Sequence, residues 1–186
     1  MRRWNGWGDS ANHYPLKASG LTFLQSRLGT ATPLPDAEMA TVLQAVPASR
    51  MPDYPLIRTD AETRIRHARG QSLPDWLAMR SGDFGRFPDG VAMPTKSAEV
   101  KRLLSWAQDN DVLVIPYGGG TSVAGHINPP ASDKPVLTLS LAGMNKLLHL
   151  DKESQIATFG AGTPGPEVEN QLREQGYMLG HFPQSW

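Results

Sequence analysis

From residue 88 onward the apolar positions fall into two periods. Val100, Leu103, Leu104 and Ala107 recur at i, i+3, i+4 and i+7, which predicts a helix from Ser97 to Asp109 with those side chains inward. Val112–Ile115 and Val136–Ser140 are short apolar runs of strand length, and Val91–Met93 is another, closed by Pro94. Leu147–Leu150 and Gln155–Phe159 flank Asp151–Ser154, which reads as a hairpin connection. Val168 and Leu172 mark the inner face of a helix that follows Pro164 and Pro166, runs to about Gln175 and is capped by Gly176. Tyr177–Leu179 predicts the start of one more strand. Strand, helix, strand, glycine loop, strand, hairpin and helix in that order make an α+β or mixed α/β fold.

The first part of the chain is less regular. Residues 1–35 read as extended and irregular, broken by Pro15, Pro33 and Pro35, although two tryptophans in WNGWG argue for packing against something. A helix is predicted from Asp36 to Ala45, with Met39, Val42 and Leu43 on one face, stopped by Pro47. SLPDWLAMRSG predicts a short helix with Ser72 as its cap, Pro74 in its first turn and Gly82 near its end. The run Arg64, Arg66 and Arg69 reads by default as a solvated face; the alternative is a docking surface for a further domain or an anionic substrate.

Composition removes several function classes. The chain has 186 residues with 18 basic and 18 acidic side chains and a formal net charge of zero. That balance supports neither a nucleic-acid partner nor electrostatic membrane binding. With no cysteine there is no disulfide, thiolate or Cys-metal chemistry, which fits a cytoplasmic location. His13, His67 and His149 are far apart in sequence and form no metal-ligand spacing, so no metal site is expected.

The candidate chemistry lies in PYGGGTSVAG, residues 116–125, directly after a strand. Three consecutive glycines lose much backbone entropy on folding, so they imply that a large, flat or charged object approaches the main chain. Their N–H groups can line a nest for phosphate oxygens, with the Thr121 and Ser122 hydroxyls beside them. No Gly-Lys-Ser/Thr follows and no GxGxxG opens a helix, so neither familiar nucleotide signature is present. The pattern alone leaves a surface turn or a plain strand connection open.

Three blocks also carry a family likeness. FPDGVAMPTKSAEV (87–100), IPYGGGTSVAG (115–125) and GHFPQS (180–185) resemble the opening, the FAD pyrophosphate loop and the GHxPxS block of FAD-linked oxidases with a PCMH-type FAD-binding domain, the vanillyl-alcohol oxidase type. RWNGWGD (3–9) and RHARGQSLPDWLAMRSGDFGRFPD (66–89) are similar to the leader and linker of the alkyldihydroxyacetonephosphate synthase branch, and differ from lactate- and glycolate-oxidising branches. The resemblance implies an α+β, PCMH-type FAD-binding domain over residues 86–186, with a first lobe and the start of a second, after a partly helical N-terminal region over 1–85. It implies FAD held at Pro116, Tyr117, Gly118, Gly119, Gly120, Thr121 and Ser122, with flavin contacts from Gln184 and Ser185. Gln184 stands where the synthases often carry an acidic residue. His126 matches no flavin-linked histidine, so the FAD is expected to be non-covalent. His181 is the histidine of the GHxPxS block and the catalytic candidate, able to move a proton or stabilise a substrate anion; taken alone it reads as a structural residue.

What the resemblance implies for activity divides in two. Members of the oxidase and dehydrogenase branches take a hydride from a 2-hydroxy acid or alcohol. The synthase forms an ether-lipid precursor through a flavin–substrate adduct, exchanging the acyl chain of acylated dihydroxyacetone phosphate for a fatty alcohol without net oxidation. The likeness stops at Trp186, before the second flavin loop and the cap domain of the family, so an inactive, truncated flavin-binding lobe is a third expectation. A small-molecule or lipid-precursor substrate, no nucleic acid, a homodimer in the full-length enzyme, and a cytoplasmic protein at most peripheral to the membrane complete what it implies.

Overall fold

The structure is a computed structural model and describes residues 2–32 and 34–181. Its centre is a four-stranded sheet in the order β1-β2-β4-β3, with β1 at Ile57–Arg58, β2 at Gly90–Ala92, β3 at Leu113–Tyr117 and β4 at Val136–Ser140. β4 pairs in parallel with both β2 and β3, while β1 pairs antiparallel with β2. Every residue of β4 is buried, as the near-continuous apolar run predicts for a strand covered on both faces. A separate antiparallel hairpin joins β5 (Leu147–Asp151) to β6 (Ile156–Phe159). Asp151 Oδ1 accepts from the N–H groups of Glu153 and Ser154, and Gln155 takes a left-handed φ of 55°, so Gln155 belongs to the turn and not to the strand.

Two apolar clusters hold these elements. Leu137 and Leu139 of β4 point to one face, where Leu103 of α5 (Ser97–Asp109), Val100, Trp106 and Ile57 pack with them. Glu99 accepts from the N–H and hydroxyl of Thr95, which fixes the first turn of α5. Leu104, expected inward, is 47% exposed and lines an open groove of about 480 Å³ with Leu141, Met144 and Ala161. The second cluster gathers Val42 of α2 (Met39–Ala45), Ile65 of α3 (Ala61–Arg66), Ala68, Met79 of α4 (Leu73–Ser81) and Phe84. Trp4 stacks on Phe84 with ring centroids 6.2 Å apart, so the leader is anchored as its tryptophans suggested.

Four further readings are corrected. Residues 1–35 are not extended throughout: α1 spans Ala18–Leu28, a stretch free of proline and rich in helix formers, and buries none of its residues. The helix expected from Asp36 begins three residues later, at Met39. Arg64 is not part of a solvated face. It is buried, donating from Nε to the Pro88 carbonyl at 2.6 Å and from Nη1 to the Pro47 carbonyl at 2.7 Å. Tyr177–Leu179 forms no strand, because α6 (Gly165–Arg173) takes its backbone instead: Tyr177 N–H donates to the Leu172 carbonyl and Leu179 N–H to Glu169 Oε1.

The start of the parallel pair is set by Asp89. Its N–H donates to the Val136 carbonyl at 2.7 Å, and its Oδ2 accepts from Val136 N–H at 2.8 Å. Arg50 donates to both carboxylate oxygens, at 3.0 and 2.8 Å, and also to the carbonyls of Ser132, Asp133 and Lys134. Burial raises the Asp89 carboxyl, but the hydrogen bonds from Arg50 and Val136 outweigh it and hold the group below the ordinary aspartate value. A carboxyl depressed in the folded state stabilises the fold above its unfolded pKa, and that contribution is lost as pH falls through the folded value. Asp89→Asn should cost about 2–4 kcal/mol near neutrality. Urea denaturation from pH 7 downward checks this: the gap between wild type and variant should close below the ordinary aspartate range.

Candidate functional site

β2, β4 and β3 run parallel, so their carboxyl ends share one edge of the sheet. Such an edge is where open parallel sheets receive ligands. The residues that leave it are Met93–Thr95 after β2, Leu141–Asn145 after β4 and Gly118–Gly120 after β3. Among the described residues, no protein acceptor takes the N–H of Gly118, Gly119, Gly120 or Thr121. Gly118 and Gly119 are exposed. A Cβ on Gly118 would meet nothing within 4 Å, and one on Gly119 would meet only the Thr121 methyl at 3.5 Å. Gly118 and Gly119 therefore border free space that side chains would otherwise occupy, whereas Gly120 is buried.

Gly120 closes the turn for a different reason. Its φ is +72°, and a Cβ there would lie 2.0 Å from the Tyr117 hydroxyl. Tyr117 is the buried floor of the loop, its hydroxyl donating to the Arg66 carbonyl at 3.3 Å. The His67 ring lies 4.8 Å from the Tyr117 ring, with Nδ1 2.8 Å from the Thr63 carbonyl. Burial lowers the His67 pKa, and the Arg2 and Arg66 charges lower it further against the Thr63 hydrogen bond. His67 is therefore neutral at pH 7, with its proton on Nδ1. Burial pushes the Tyr117 hydroxyl up, opposed by the charge and hydrogen bond of Arg2.

The far end of the loop is tied to the segment before α4. Gln71 N–H donates to the Ser122 carbonyl at 2.7 Å, and a Cβ on Gly70 would stand 2.3 Å from that same oxygen. Gly70 N–H donates to Asn128 Oδ1 at 3.1 Å, and Asn128 Nδ2 donates to Asp75 Oδ1 at 2.7 Å. Ser72 and Asp75 form the capping box of α4, so one buried carboxylate serves both the helix start and the loop. Burial raises the Asp75 carboxyl, while hydrogen bonds from Ser72 and Asn128 and the nearby Arg69 bring it below the ordinary value. Ser122 Oγ accepts from His126 N–H at 3.3 Å, which leaves its own proton free to donate outward.

The predicted loop residues Pro116 to Ser122 are thus brought together on one edge. His181 is described and exposed, with no hydrogen bond or ion pair among the described residues. Gln184 and Ser185 lie outside the described residues. Arg2, Gly70, Asp75 and Asn128 were missed as parts of the site. Arg2 Nη2 donates to the Gly119 carbonyl at 2.7 Å across 117 positions of sequence, and no local pattern signals such a contact.

Residues 88–186 match the family described as FAD binding domain. The chain belongs to that FAD binding domain family. FAD is its cofactor, and the loop fits the pyrophosphate: free amides, side-chain-free space at Gly118 and Gly119, and hydroxyls at Thr121 and Ser122. The alkyldihydroxyacetonephosphate synthase of Dictyostelium discoideum is 30% identical over 99% of this chain and is covered over 36% of its own length. A solved structure of alkyldihydroxyacetonephosphate synthase matches with a TM-score of 0.79 and 29% identity, over 98% of this chain and 40% of that one. A mitochondrial cytochrome D-lactate dehydrogenase of Saccharomyces cerevisiae is 30% identical over 52% of this chain and 16% of its own. The chain spans about a third of the length of the synthase relatives it matches.

The geometry separates two kinds of glycine at this site, one in the segment ahead of the FAD binding domain and one in its loop. Gly70→Ala forces a backbone apart and should lower stability by about 1–3 kcal/mol. Gly118→Ala meets open space and should leave the melting temperature within about 1 °C, while weakening FAD retention. Gly119→Asp places a carboxylate in the nest and should abolish FAD retention. Melting curves and flavin absorbance per purified chain check all three.

Proposed function

We propose that this chain is the FAD-pyrophosphate-binding part of an enzyme of the alkyldihydroxyacetonephosphate synthase type. The observation that carries the reading is the extent of the match. The synthases align over 98–99% of the chain, leader and linker included, whereas the D-lactate dehydrogenase aligns over 52%. The leader and linker are not passive here: Arg2 reaches Gly119, and Gln71 reaches Ser122.

When bound, FAD supplies a reactive ring system; the chain's own residues supply its hold. Gly118 to Thr121 offer backbone donors to the pyrophosphate, and Thr121 and Ser122 add hydroxyls. Tyr117 and His67, both packed behind the loop, keep water from the back of the nest. In the proposed reaction a fatty alcohol takes the place of the acyl chain of acylated dihydroxyacetone phosphate, a fatty acid leaves, and no net oxidation occurs. His181 is proposed to move a proton at its imidazole during that exchange.

The test uses the intact protein with its FAD. Incubation with acylated dihydroxyacetone phosphate and a long-chain alcohol should give the ether product, with the flavin oxidised before and after. Anaerobic bleaching of the flavin by D-lactate or another 2-hydroxy acid, without ether formation, would replace this reading with a dehydrogenase. His181→Ala should keep wild-type flavin absorbance and slow turnover about 10²- to 10⁴-fold. Unchanged turnover assigns His181 to structure alone.

A further inference from the structure

The loop that faces the cofactor phosphates has no charged side chain of its own between Pro116 and Gly125. The cation beside it comes from the other end of the chain. RRWNGWGD folds as a clip: Arg3 N–H donates to the Gly8 carbonyl at 2.9 Å, and Arg2 and Asp9 form an isolated antiparallel bridge. Arg3 also donates from Nε to the Asp9 carbonyl and from Nη2 to the Asn12 carbonyl. Trp4, stacked on Phe84, fixes the clip to the core, and Arg66 Nη1 holds the Arg2 carbonyl at 3.2 Å. The guanidinium so delivered donates to the Gly119 carbonyl at 2.7 Å and lies against Gly120, whose Cβ would stand 3.0 Å from Nη2.

We infer that Arg2 is a positioning residue for cofactor binding: it locks the Gly119–Gly120 peptide so that the Gly119 carbonyl stays on the guanidinium and off the face that the exposed Gly118 and Gly119 offer an anion. A trans peptide is planar, with its C=O and N–H pointing to opposite sides. Anchoring the Gly119 oxygen on Arg2 turns the Gly120 N–H away from Arg2. Without that anchor, three successive glycines leave the peptide free to rotate, because each has access to both signs of φ. The rotated form presents a carbonyl oxygen to phosphate and is repelled. Arg2 therefore selects the competent form of the nest before the ligand arrives, and its positive charge lies on the same turn. The inference rests on the reading of this loop as the pyrophosphate site.

The test measures FAD dissociation constants by flavin fluorescence on the intact, reconstituted apoprotein, for Arg2→Met, Arg2→Lys and Gly119→Asp. Arg2→Met should bind FAD roughly 10- to 100-fold more weakly, the span expected for losing a hydrogen bond from a charged donor. Its apoprotein melting temperature should stay within about 2 °C of wild type, since Arg2 is exposed and Trp4 still anchors the clip. Arg2→Lys, which keeps a charged donor, should recover the affinity to within about fivefold. The amide resonances of Gly119 and Gly120 should shift or broaden in the Arg2→Met apoprotein and not in Arg2→Lys. Wild-type affinity in Arg2→Met, beside loss of FAD in Gly119→Asp, overturns the role of Arg2 and leaves the loop assignment intact. Retention of FAD by Gly119→Asp overturns both. A fall in melting temperature that accompanies the loss of affinity in Arg2→Met, with no rescue by lysine, assigns Arg2 to the stability of the clip and also overturns the inference.

Discussion

Asp89 and Val136 exchange two hydrogen bonds at the point where β2 and β4 begin, and the position of every later group on the ligand edge follows from that register. A parallel pair has no hairpin turn to fix its alignment. One slipped residue would send Leu137 and Leu139 to the wrong face and move Ser140 away from Tyr117, its register partner on β3. A carboxylate that pairs with the opposite strand's N–H and with the Arg50 guanidinium is a stiff and directional way to prevent the slip. Arg50 extends the restraint to the carbonyls of residues 132–134, so the chain enters β4 at one place only. The cost of burying the Asp89 charge is offset because both of its oxygens are satisfied several times over.

The glycine loop inherits its place from that sheet but its shape from elsewhere. Its first half bends over Tyr117, and its second half is held by the backbone of Gly70 and Gln71. Asp75 ties the two devices together, closing the capping box of α4 while reaching Asn128 beyond the loop. None of Gly70, Gln71 and Asp75 lies within residues 88–186, the span that matches the FAD binding domain family. The segment ahead of the domain is thus structural support for the domain's glycine loop. Support of this kind suits a nest of free amides, since donors held rigidly before binding lose little entropy when the anion arrives.

Much of the fold was legible because its elements carry strong local patterns. The α5 stripe, the apolar run of β4 and the Asp151 turn each state their structure within a few residues. What was not legible depends on distant partners. β1 is two residues long and exists because β2 lies beside it. Arg64 reads as surface in any window of sequence, yet the carbonyls of Pro47 and Pro88 give its buried guanidinium acceptors. Leu104 fits the helical period and still faces outward, because the period fixes an angle around the helix and not how far the neighbouring surface extends. In the site the glycines announced themselves, whereas Asn128, Gly70 and Arg2 act across 53 to 117 positions and carry no local signature.

The chemistry of the loop gives these remote contacts their importance. A backbone nest attracts an anion through partial charges, whose field falls off faster than that of a full charge. A phosphate loop with its own lysine does not share this weakness. Here the full charge is borrowed from Arg2, and its delivery depends on Trp4 packing against Phe84 and on Arg66 holding the Arg2 carbonyl. Burial of Tyr117 and a neutral His67 behind the turn keep the local dielectric low without adding a competing counter-charge. The uncharged ring leaves the Gly119 carbonyl as the acceptor, so the orientation of a single peptide joins the leader at one end of the chain to the cofactor edge of the sheet.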